Sequence, residues 1–225
     1  MFFSVKSLTF ADLHVTSRRD ILTYFGKLFS LLAPFPQLLA NSFYVLKFYR
    51  RVASEVNKDL SSLDRERVIW PSLTRRLAYL EAVCRSRPYF FAVSTTSTVA
   101  IVATDASSSG FGASILFDSS RSMRVWGQTW SHDEFGFHIN LKEAMAILKT
   151  VEKFRICHPV LWLIDNSAVF FALKKGYSAS LGLNNLVKKI NAYGHFKFCL
   201  VKSKANPADF PSRTCIDELF CFGDD

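Results

Sequence analysis

One change in hydrophobic periodicity divides this chain of 225 residues. In the first part, apolar residues such as Phe25 and Leu28 recur at the three- and four-residue spacing of amphipathic helices. Near Ser94-Thr95-Thr96-Ser97 the pattern changes to a period of two and β-branched residues become frequent, which is typical of strands. The sequence therefore predicts two domains, a basic helical region over residues 1–97 and an α/β domain over residues 98–225.

The helical region is predicted to contain three helices. The first covers residues 21–32, with Ser17 as its N-cap and Pro34 as its stop. A second helix is expected from Gln37 to Val56, and a third from about Thr74 to Arg85.

Positive charge is concentrated in this helical region. Residues 1–97 hold 14 Lys and Arg against 7 Asp and Glu, whereas residues 98–225 hold 14 against 12. Arginine pairs recur at Arg18-Arg19, Arg50-Arg51 and Arg75-Arg76. Such pairs are usually solvated helix faces, but three of them in one region indicate a surface that contacts phosphate groups. A polyanionic partner, either nucleic acid or an anionic membrane surface, is therefore expected.

Other sequence features indicate an intracellular protein, cytoplasmic or nuclear. Of the two polyanionic partners, nucleic acid is favoured and no membrane partner is expected, because the apolar faces of the basic helices are more simply explained as core. The five cysteines are odd in number and form no Cys-x-x-Cys pair, which suggests neither a disulfide framework nor a zinc ribbon. The N-terminus does not resemble a signal peptide, so secretion is not expected. The stretch Leu22 to Leu46 is long enough to span a bilayer, but Lys27, Pro34 and Gln37 favour buried helices, with a membrane span as the alternative.

The second domain is predicted to be a mixed α/β sheet of order βββαβαβα, with an additional helix after the fourth strand. The predicted strands cover residues 99–105, 111–117, 123–130, 160–164 and 196–201. The predicted helices cover residues 141–154, 168–174 and 181–192, and a last helix begins at Asn206-Pro207. The fourth strand is apolar throughout, which is typical of a buried parallel strand.

Four acidic residues of this domain lie at element ends or on a helix. Asp105 closes the first strand, Glu143 is expected in the first turn of a helix, Asp165 closes the fourth strand and Asp209 opens the last helix. Ligands collect at the carboxyl ends of parallel strands, so these side chains are expected to converge there. Grouped carboxylates repel one another unless cations compensate, and hard oxygen ligands suit Mg²⁺ or Mn²⁺. The sequence therefore predicts a divalent metal site.

Each acid also has a purely structural interpretation. Asp105 precedes a serine-rich turn, and Glu143 complements the helix dipole. Asp165-Asn166-Ser167 has the composition of a helix cap, and Asp209 follows Asn206-Pro207 at the spacing of a capping box. The order of the four acids is more specific than any one of them.

That order resembles the ribonuclease H superfamily, over about residues 98–213. The local motifs are similar to ribonuclease H domains joined to reverse transcriptases, above all those of DIRS-type retroelements, and the last motif is also similar to hepadnaviral polymerases. The motifs that carry the resemblance are Thr104-Asp105-Ala106-Ser107, Gly110-Phe111-Gly112-Ala113, His138-Ile139-Asn140 before Glu143, Asp165-Asn166-Ser167-Ala168-Val169 and Asn206-Pro207-Ala208-Asp209-Phe210-Pro211-Ser212-Arg213.

The resemblance implies a ribonuclease H-like fold and a two-metal endonuclease that hydrolyses the RNA strand of RNA–DNA hybrids. Asp105, Glu143, Asp165 and Asp209 would be the catalytic residues and the ligands of Mg²⁺ or Mn²⁺. The hybrid and a polymerase region on a longer chain would be the partners, and residues 1–97 would be a thumb-like or connection-like region. The expected substrate contacts are Ser107, Asn140, Asn166 and Arg213.

Two alternatives remain open. The first is a catalytically degenerate ribonuclease H fold that serves as a nucleic-acid-binding or connection module. The second is a transposase or integrase nuclease, against which the helical Glu143 weighs. The loop Lys202-Ser203-Lys204-Ala205 lacks the histidine that many cellular ribonucleases H carry there, so slow turnover is expected. The end of the chain, Phe222 to Asp225, is interpreted as an acidic tail.

Overall fold

The computed structural model of the protein describes residues 15–33, 35–86, 100–117, 122–156, 159–194 and 196–222. The chain forms two compact units that divide between residues 92 and 93. The boundary predicted after residue 97 lies outside the described residues and stays a prediction. Among the helices of the described residues, none is long and apolar enough to cross a bilayer.

The first unit is a small helical assembly with a two-stranded ribbon. Its helices are α1 (Arg18–Leu32), α2 (Pro36–Ala40), α3 (Phe43–Lys58) and α4 (Pro71–Ser86), and a 3₁₀ turn covers Leu60–Asp64. Strands β1 (Val15–Ser17) and β2 (Glu66–Val68) pair antiparallel. The core is apolar side chains from α1, α3 and α4, including Ile21, Phe25, Leu28, Val52 and Leu77.

The prediction for α1 is confirmed, whereas that for the second helix is wrong. Ser17 is the N-cap, and its side chain accepts a hydrogen bond from the backbone N–H of Asp20 at 3.1 Å. Pro34 lies outside the described residues. The single helix expected over residues 37–56 is two helices that meet at Asn41 and Ser42, where the last turn of α2 tightens and the Ser42 N–H donates to the Leu39 carbonyl three residues back.

The second unit contains a six-stranded mixed sheet in the order β7-β6-β3-β4-β5-β8. Its strands are β3 (Ala100–Ala106), β4 (Gly110–Phe117), β5 (Ser122–Thr129), β6 (Val160–Ile164), β7 (Lys197–Leu200) and β8 (Ile216–Phe222). Its helices are α5 (His132–Phe135), α6 (Ile139–Phe154), α7 (Ser167–Lys175), α8 (Leu181–Tyr193) and α9 (Asp209–Arg213). β6 runs parallel to β3 and β7, and the other pairs are antiparallel. The predicted fold class, a mixed α/β sheet preceded by a helical region, is confirmed.

Four details of this unit differ from the sequence-based expectation. α5 and the edge strand β8 were not predicted, and β8 takes part of the stretch interpreted as a tail. β8 forms because β5 supplies the hydrogen-bonding edge, a long-range contact that local sequence does not encode. α6 begins at Ile139 after the His138 cap, which places Glu143 in its second turn. α9 opens at Asp209, as expected for that acid, but not at the predicted start Asn206-Pro207, because Asn206 forms a local turn by accepting from the Ala208 N–H.

Helix α6 covers one face of the sheet and forms the main core. Apolar residues of β3, β4 and β6 pack there against α6, α7 and α8. Trp162 of β6 is fully buried, and its indole N–H donates to the Thr104 hydroxyl at 3.0 Å. This bond ties the two central parallel strands together on the face that carries α6.

Glycines open the other face of the sheet to the segment of residues 206–214, which includes α9. Gly112 of β4 lies directly opposite Gly127 of β5. A Cβ atom on Gly112 would overlap backbone atoms of Pro211 and Ser212, and one on Gly127 would overlap the Pro211 carbonyl. The Ser114 hydroxyl donates to the Pro207 carbonyl at 3.0 Å on the same face. The 206–214 segment can therefore lie directly on the strand backbones.

We expect Gly112→Ala to destabilise the second unit by about 2–3 kcal/mol, because the added methyl meets backbone rather than a movable side chain. The matched control is Gly136→Ala, since a Cβ atom there has no heavy atom within 4 Å. Urea denaturation of both variants measures the effect. Equal free energies of unfolding for the two variants would contradict the close approach at Gly112.

Candidate metal centre

Two carboxylates lie together because two parallel strands end side by side. β3 and β6 pair in parallel with Ala103 opposite Leu163, so Asp105 near the end of β3 and Asp165 just after β6 share one sheet edge. α6 packs across the sheet and brings Glu143 to the same edge. One carboxylate oxygen from each of the three residues lies within 4.8 Å of the others.

The three carboxylates form an electrostatically unfavourable group. Asp105 and Glu143 are each only 6% exposed. Burial, together with the charges of Asp105 and Asp165, raises the pKa of Glu143 to about 9. Burial also raises the pKa of Asp105, with contributions from the charges of Asp165 and Asp209. In the described part of the chain, none of the three carboxylates forms an ion pair with Lys, Arg or His.

The donor set fits a divalent cation. Three hard oxygen ligands at close range are what Mg²⁺ and Mn²⁺ favour, and a bound cation would offset the repulsion between them. The Oδ1 atom of Asp165 is buried and accepts no hydrogen bond from the described residues. A buried carboxylate oxygen without a donor is costly unless another group, such as a cation, occupies it.

Asp209, the fourth predicted ligand, lies outside this group. It accepts from the Arg213 guanidinium at 2.7 Å, and its side chain is 49% exposed. Its charge still raises the pKa of Asp105, so it belongs to the surroundings of the site. The structure thus brings three of the four predicted acids together, and convergence of all four stays a prediction.

The predicted substrate contacts surround this edge and bond to one another or to neighbours. Ser107 donates to the Ser212 carbonyl at 2.8 Å, and Asn166 donates to the Asn140 side-chain oxygen at 3.0 Å. Asn166 also caps α7 by accepting from the Val169 N–H. Arg213 is engaged by Asp209. These bonds give each residue a structural role, and their contacts with substrate stay predictions.

Two buried polar residues of the site were not predicted. Ser212 is 1% exposed and donates through its hydroxyl to the Asp105 Oδ2 atom at 2.6 Å. Lys142 is 4% exposed and donates to the Ser108 carbonyl at 2.8 Å, with its ammonium over the Trp130 ring. Ser212 belongs to the last sequence motif, so its place near the acids could have been inferred from that motif. Lys142 precedes Glu143 in the sequence, but no motif or spacing indicates that it is buried at the site.

Comparison with known proteins gives weak structural similarity only. No protein family profile matches the chain, and no curated protein matches it. Among solved structures, RNase H1 from the halophilic archaeon Halobacterium salinarum NRC-1 is 14% identical, with 50% of this chain and 92% of that chain covered and a TM-score of 0.41. The N-terminal RNase H domain of a Mycobacterium tuberculosis protein, solved as a fusion with maltose-binding protein, is 13% identical, with coverages of 52% and 98% and a TM-score of 0.34.

A larger viral protein is also similar to this chain. The foamy viral protease-reverse transcriptase in complex with an RNA/DNA hybrid is 10% identical, with a TM-score of 0.35. The similarity covers 86% of this chain and 26% of the viral one, so this chain spans about a quarter of the viral protein's length.

The raised pKa of Glu143 predicts a pH-dependent stability without metal. Between pH 4.5, the ordinary value for Glu, and about 9, the folded state holds a proton that the unfolded state has lost. In EDTA the free energy of unfolding should therefore fall as pH rises through this window, by up to about 1.4 kcal/mol per pH unit. Glu143→Gln should flatten this dependence, because glutamine does not titrate.

Urea denaturation followed by tryptophan fluorescence measures this difference, since three of the four tryptophans, Trp126, Trp130 and Trp162, lie in the second unit. Saturating Mg²⁺ should stabilise the wild type most at the alkaline end, where Glu143 is ionised. Identical pH slopes for the wild type and the variant in EDTA would contradict the assignment.

Proposed function

We propose that this protein is a metal-dependent endonuclease that hydrolyses the RNA strand of RNA–DNA hybrids. The observation that carries the proposal is the meeting of Asp105, Glu143 and Asp165 within 4.8 Å at the end of two parallel strands. The ordered sequence motifs around these acids support the same reaction. We further propose that the chain is the C-terminal part of a retroelement reverse transcriptase, with motifs similar to DIRS-type elements.

The residues of the site have separate tasks in this proposal. Asp105, Glu143 and Asp165 would hold Mg²⁺ or Mn²⁺, and Asp209 of α9 would be the fourth ligand. In two-metal hydrolysis the bound ions activate the attacking water and stabilise the leaving oxygen. Lys142 donates a hydrogen bond to the Ser108 carbonyl in the exposed turn between β3 and β4. This turn presents polar groups to the RNA 2′-hydroxyls in the minor groove.

An exposed basic face of α3 is proposed to supply affinity for the hybrid. Lys47, Arg50, Arg51 and Lys58 are exposed and, within the described residues, have no acidic partner. Their spacing places them on one side of the helix. Unpaired cations on one helix face are suited to successive phosphates of a nucleic-acid backbone.

Ion pairs exclude several other arginines of this unit from that role. Arg18 and Arg67 both bind Glu55, at 3.2 and 3.1 Å, and Arg19 binds Asp64 at 2.7 Å. Glu55 is the single acid of α3, and these two arginines neutralise it. Of the arginine pairs noted in the sequence, Arg18-Arg19 is therefore engaged by acids, whereas Arg50-Arg51 stays available to contact phosphate.

The intracellular context of the proposal is consistent with the cysteines. Within the described residues Cys199 and Cys215 are free thiols. Free thiols are typical of the reducing cytoplasm and nucleus, where a reverse transcriptase would work. A polymerase region on a longer chain is the expected partner.

Cleavage assays test the reaction. Residues 1–225 should cut a labelled RNA–DNA hybrid in Mg²⁺ and not in EDTA, and should leave duplex DNA intact. Asp105→Asn and Asp165→Asn should each lower the rate at least about 100-fold, since loss of a carboxylate ligand disables the metal site. The matched control is Asp133→Asn, an exposed acid on α5 outside the carboxylate group. Near wild-type rates for either ligand variant would overturn the two-metal proposal.

Salt-dependent binding tests the α3 face. A plot of log K for hybrid binding against log salt has a negative slope, because each phosphate contact releases counterions. We expect the double variant Lys47→Gln/Arg51→Gln to make this slope less steep by about 2, at roughly 0.9 per phosphate contact as calibrated on duplex DNA. Arg19→Gln/Arg65→Gln removes the same charge from ion-paired arginines and should leave the slope nearly unchanged. The measurement uses a catalytically inactive background, so that the hybrid stays intact. Equal slopes for both double variants would refute the role of α3.

A binding module without catalysis is the second candidate function. It is favoured by the position of Asp209, which binds Arg213 outside the carboxylate group. In that case the protein would bind the hybrid with the expected salt dependence and leave it uncut in both Mg²⁺ and Mn²⁺. The cleavage and binding assays together separate the two functions.

A further inference from the structure

Ser212 makes a hydrogen bond to one of the central carboxylates. Its hydroxyl lies 2.6 Å from the Asp105 Oδ2 atom, a distance typical of a charge-assisted O–H···O⁻ bond. The hydroxyl also lies 2.9 Å from the Asp209 carbonyl, but the charged acceptor is the nearer one. Both partners are buried, Ser212 at 1% and Asp105 at 6% exposure. Water therefore cannot easily replace this bond.

The surrounding backbone holds Ser212 at this position. Gly112 lies under it, where any side chain would overlap the Ser212 nitrogen. Ser107 donates to the Ser212 carbonyl at 2.8 Å from the turn that follows β3. The Asn206 amide donates to the Thr104 carbonyl at 3.0 Å and anchors the start of the same segment next to Asp105. Ser212 is thus fixed relative to the strand that carries Asp105.

We propose that Ser212 is a positioning residue of the metal centre, which holds the Asp105 carboxylate in the orientation that binds a divalent cation. The inference rests on the proposed metal centre and adds a residue to it. Without a fixed donor, repulsion from Glu143 and Asp165 would favour rotation of the Asp105 carboxylate away from the group. The hydroxyl bond to Asp105 Oδ2 opposes that rotation.

Mn²⁺ binding to the full chain tests the proposal. Isothermal titration should show Mn²⁺ binding to the wild type that is lost in Asp105→Asn. Ser212→Ala should weaken Mn²⁺ binding about tenfold or more, as is common when a hydrogen-bond partner of a ligand is removed. The matched control is Ser114→Ala, which also removes a buried hydroxyl between the sheet and the 206–214 segment but does not touch Asp105.

Thermal melting of the metal-free proteins separates positioning from general destabilisation. We expect both alanine variants to lower the melting temperature and only Ser212→Ala to weaken Mn²⁺ binding. Ser212→Cys keeps the side-chain shape but replaces the hydroxyl with a weaker donor, so this variant should also bind Mn²⁺ weakly. If Ser212→Ala does not fold, the Mn²⁺ affinity of Ser212→Cys tests whether Ser212 positions Asp105.

The possible failures are distinguishable. One outcome is that the wild type and the folded Ser212 variants bind Mn²⁺ with dissociation constants within about twofold of one another. In that case Ser212 does not position the Asp105 carboxylate, because a positioning residue is expected to change the affinity more. If Ser114→Ala weakens Mn²⁺ binding as much as Ser212→Ala does, the effect belongs to the segment as a whole and the inference is wrong. If the wild type binds no Mn²⁺, the metal centre and the proposed nuclease fail together.

Discussion

The close approach of a chain segment to bare strand backbone is the constraint on which the second unit depends. Gly112 and Gly127 face each other across two strands, and the 206–214 segment lies where their side chains would have been. This contact brings the last motif to the strand that carries Asp105. It also sets Ser212 against that carboxylate. A sheet with larger residues at these positions would hold the segment away from the site.

The cluster of Asp105, Glu143 and Asp165 destabilises the metal-free fold locally. Burial and mutual repulsion raise the pKa values of Asp105 and Glu143, so the metal-free protein holds at least one proton more readily than an exposed acid would. Such perturbed groups cluster at functional sites, because an arrangement suited to a cation is poorly suited to an empty pocket. The close packing around Trp162 and α6 keeps the three acids together despite this cost.

In the first unit, some arginines form ion pairs within the fold, whereas other basic residues have no acidic partner among the described residues and can bind a polyanion. Glu55 forms ion pairs with both Arg18 and Arg67 where the ribbon, α1 and α3 meet. The solvent face of α3 keeps its cations unpaired within the described residues. Pairs of arginines look alike in sequence, yet only their spatial partners decide which of them can contact a polyanion. Surface cations without partners cost little in stability and remain free to bind.

The sequence by itself determined the class of fold and the elements that carry the acids. Apolar periodicity located α1, α6 and the central strands to within a few residues, because core-facing positions repeat with the geometry of each element. The carboxyl ends of β3 and β6 were readable in the same way, which placed Asp105 and Asp165 at one edge.

Only the tertiary structure decided which polar groups meet. The pairing of β8 with β5 and the bond from Ser212 to Asp105 are not visible in local patterns, because they join residues far apart in the chain. The pairing of Asp209 with Arg213 is an i,i+4 contact within α9, and the tertiary structure decided only that this pair lies outside the carboxylate group. Local sequence sets the preference for helix or strand, whereas packing of distant segments sets side-chain partners within a few ångströms. The chemistry of the site therefore depends on how distant segments of the chain pack together.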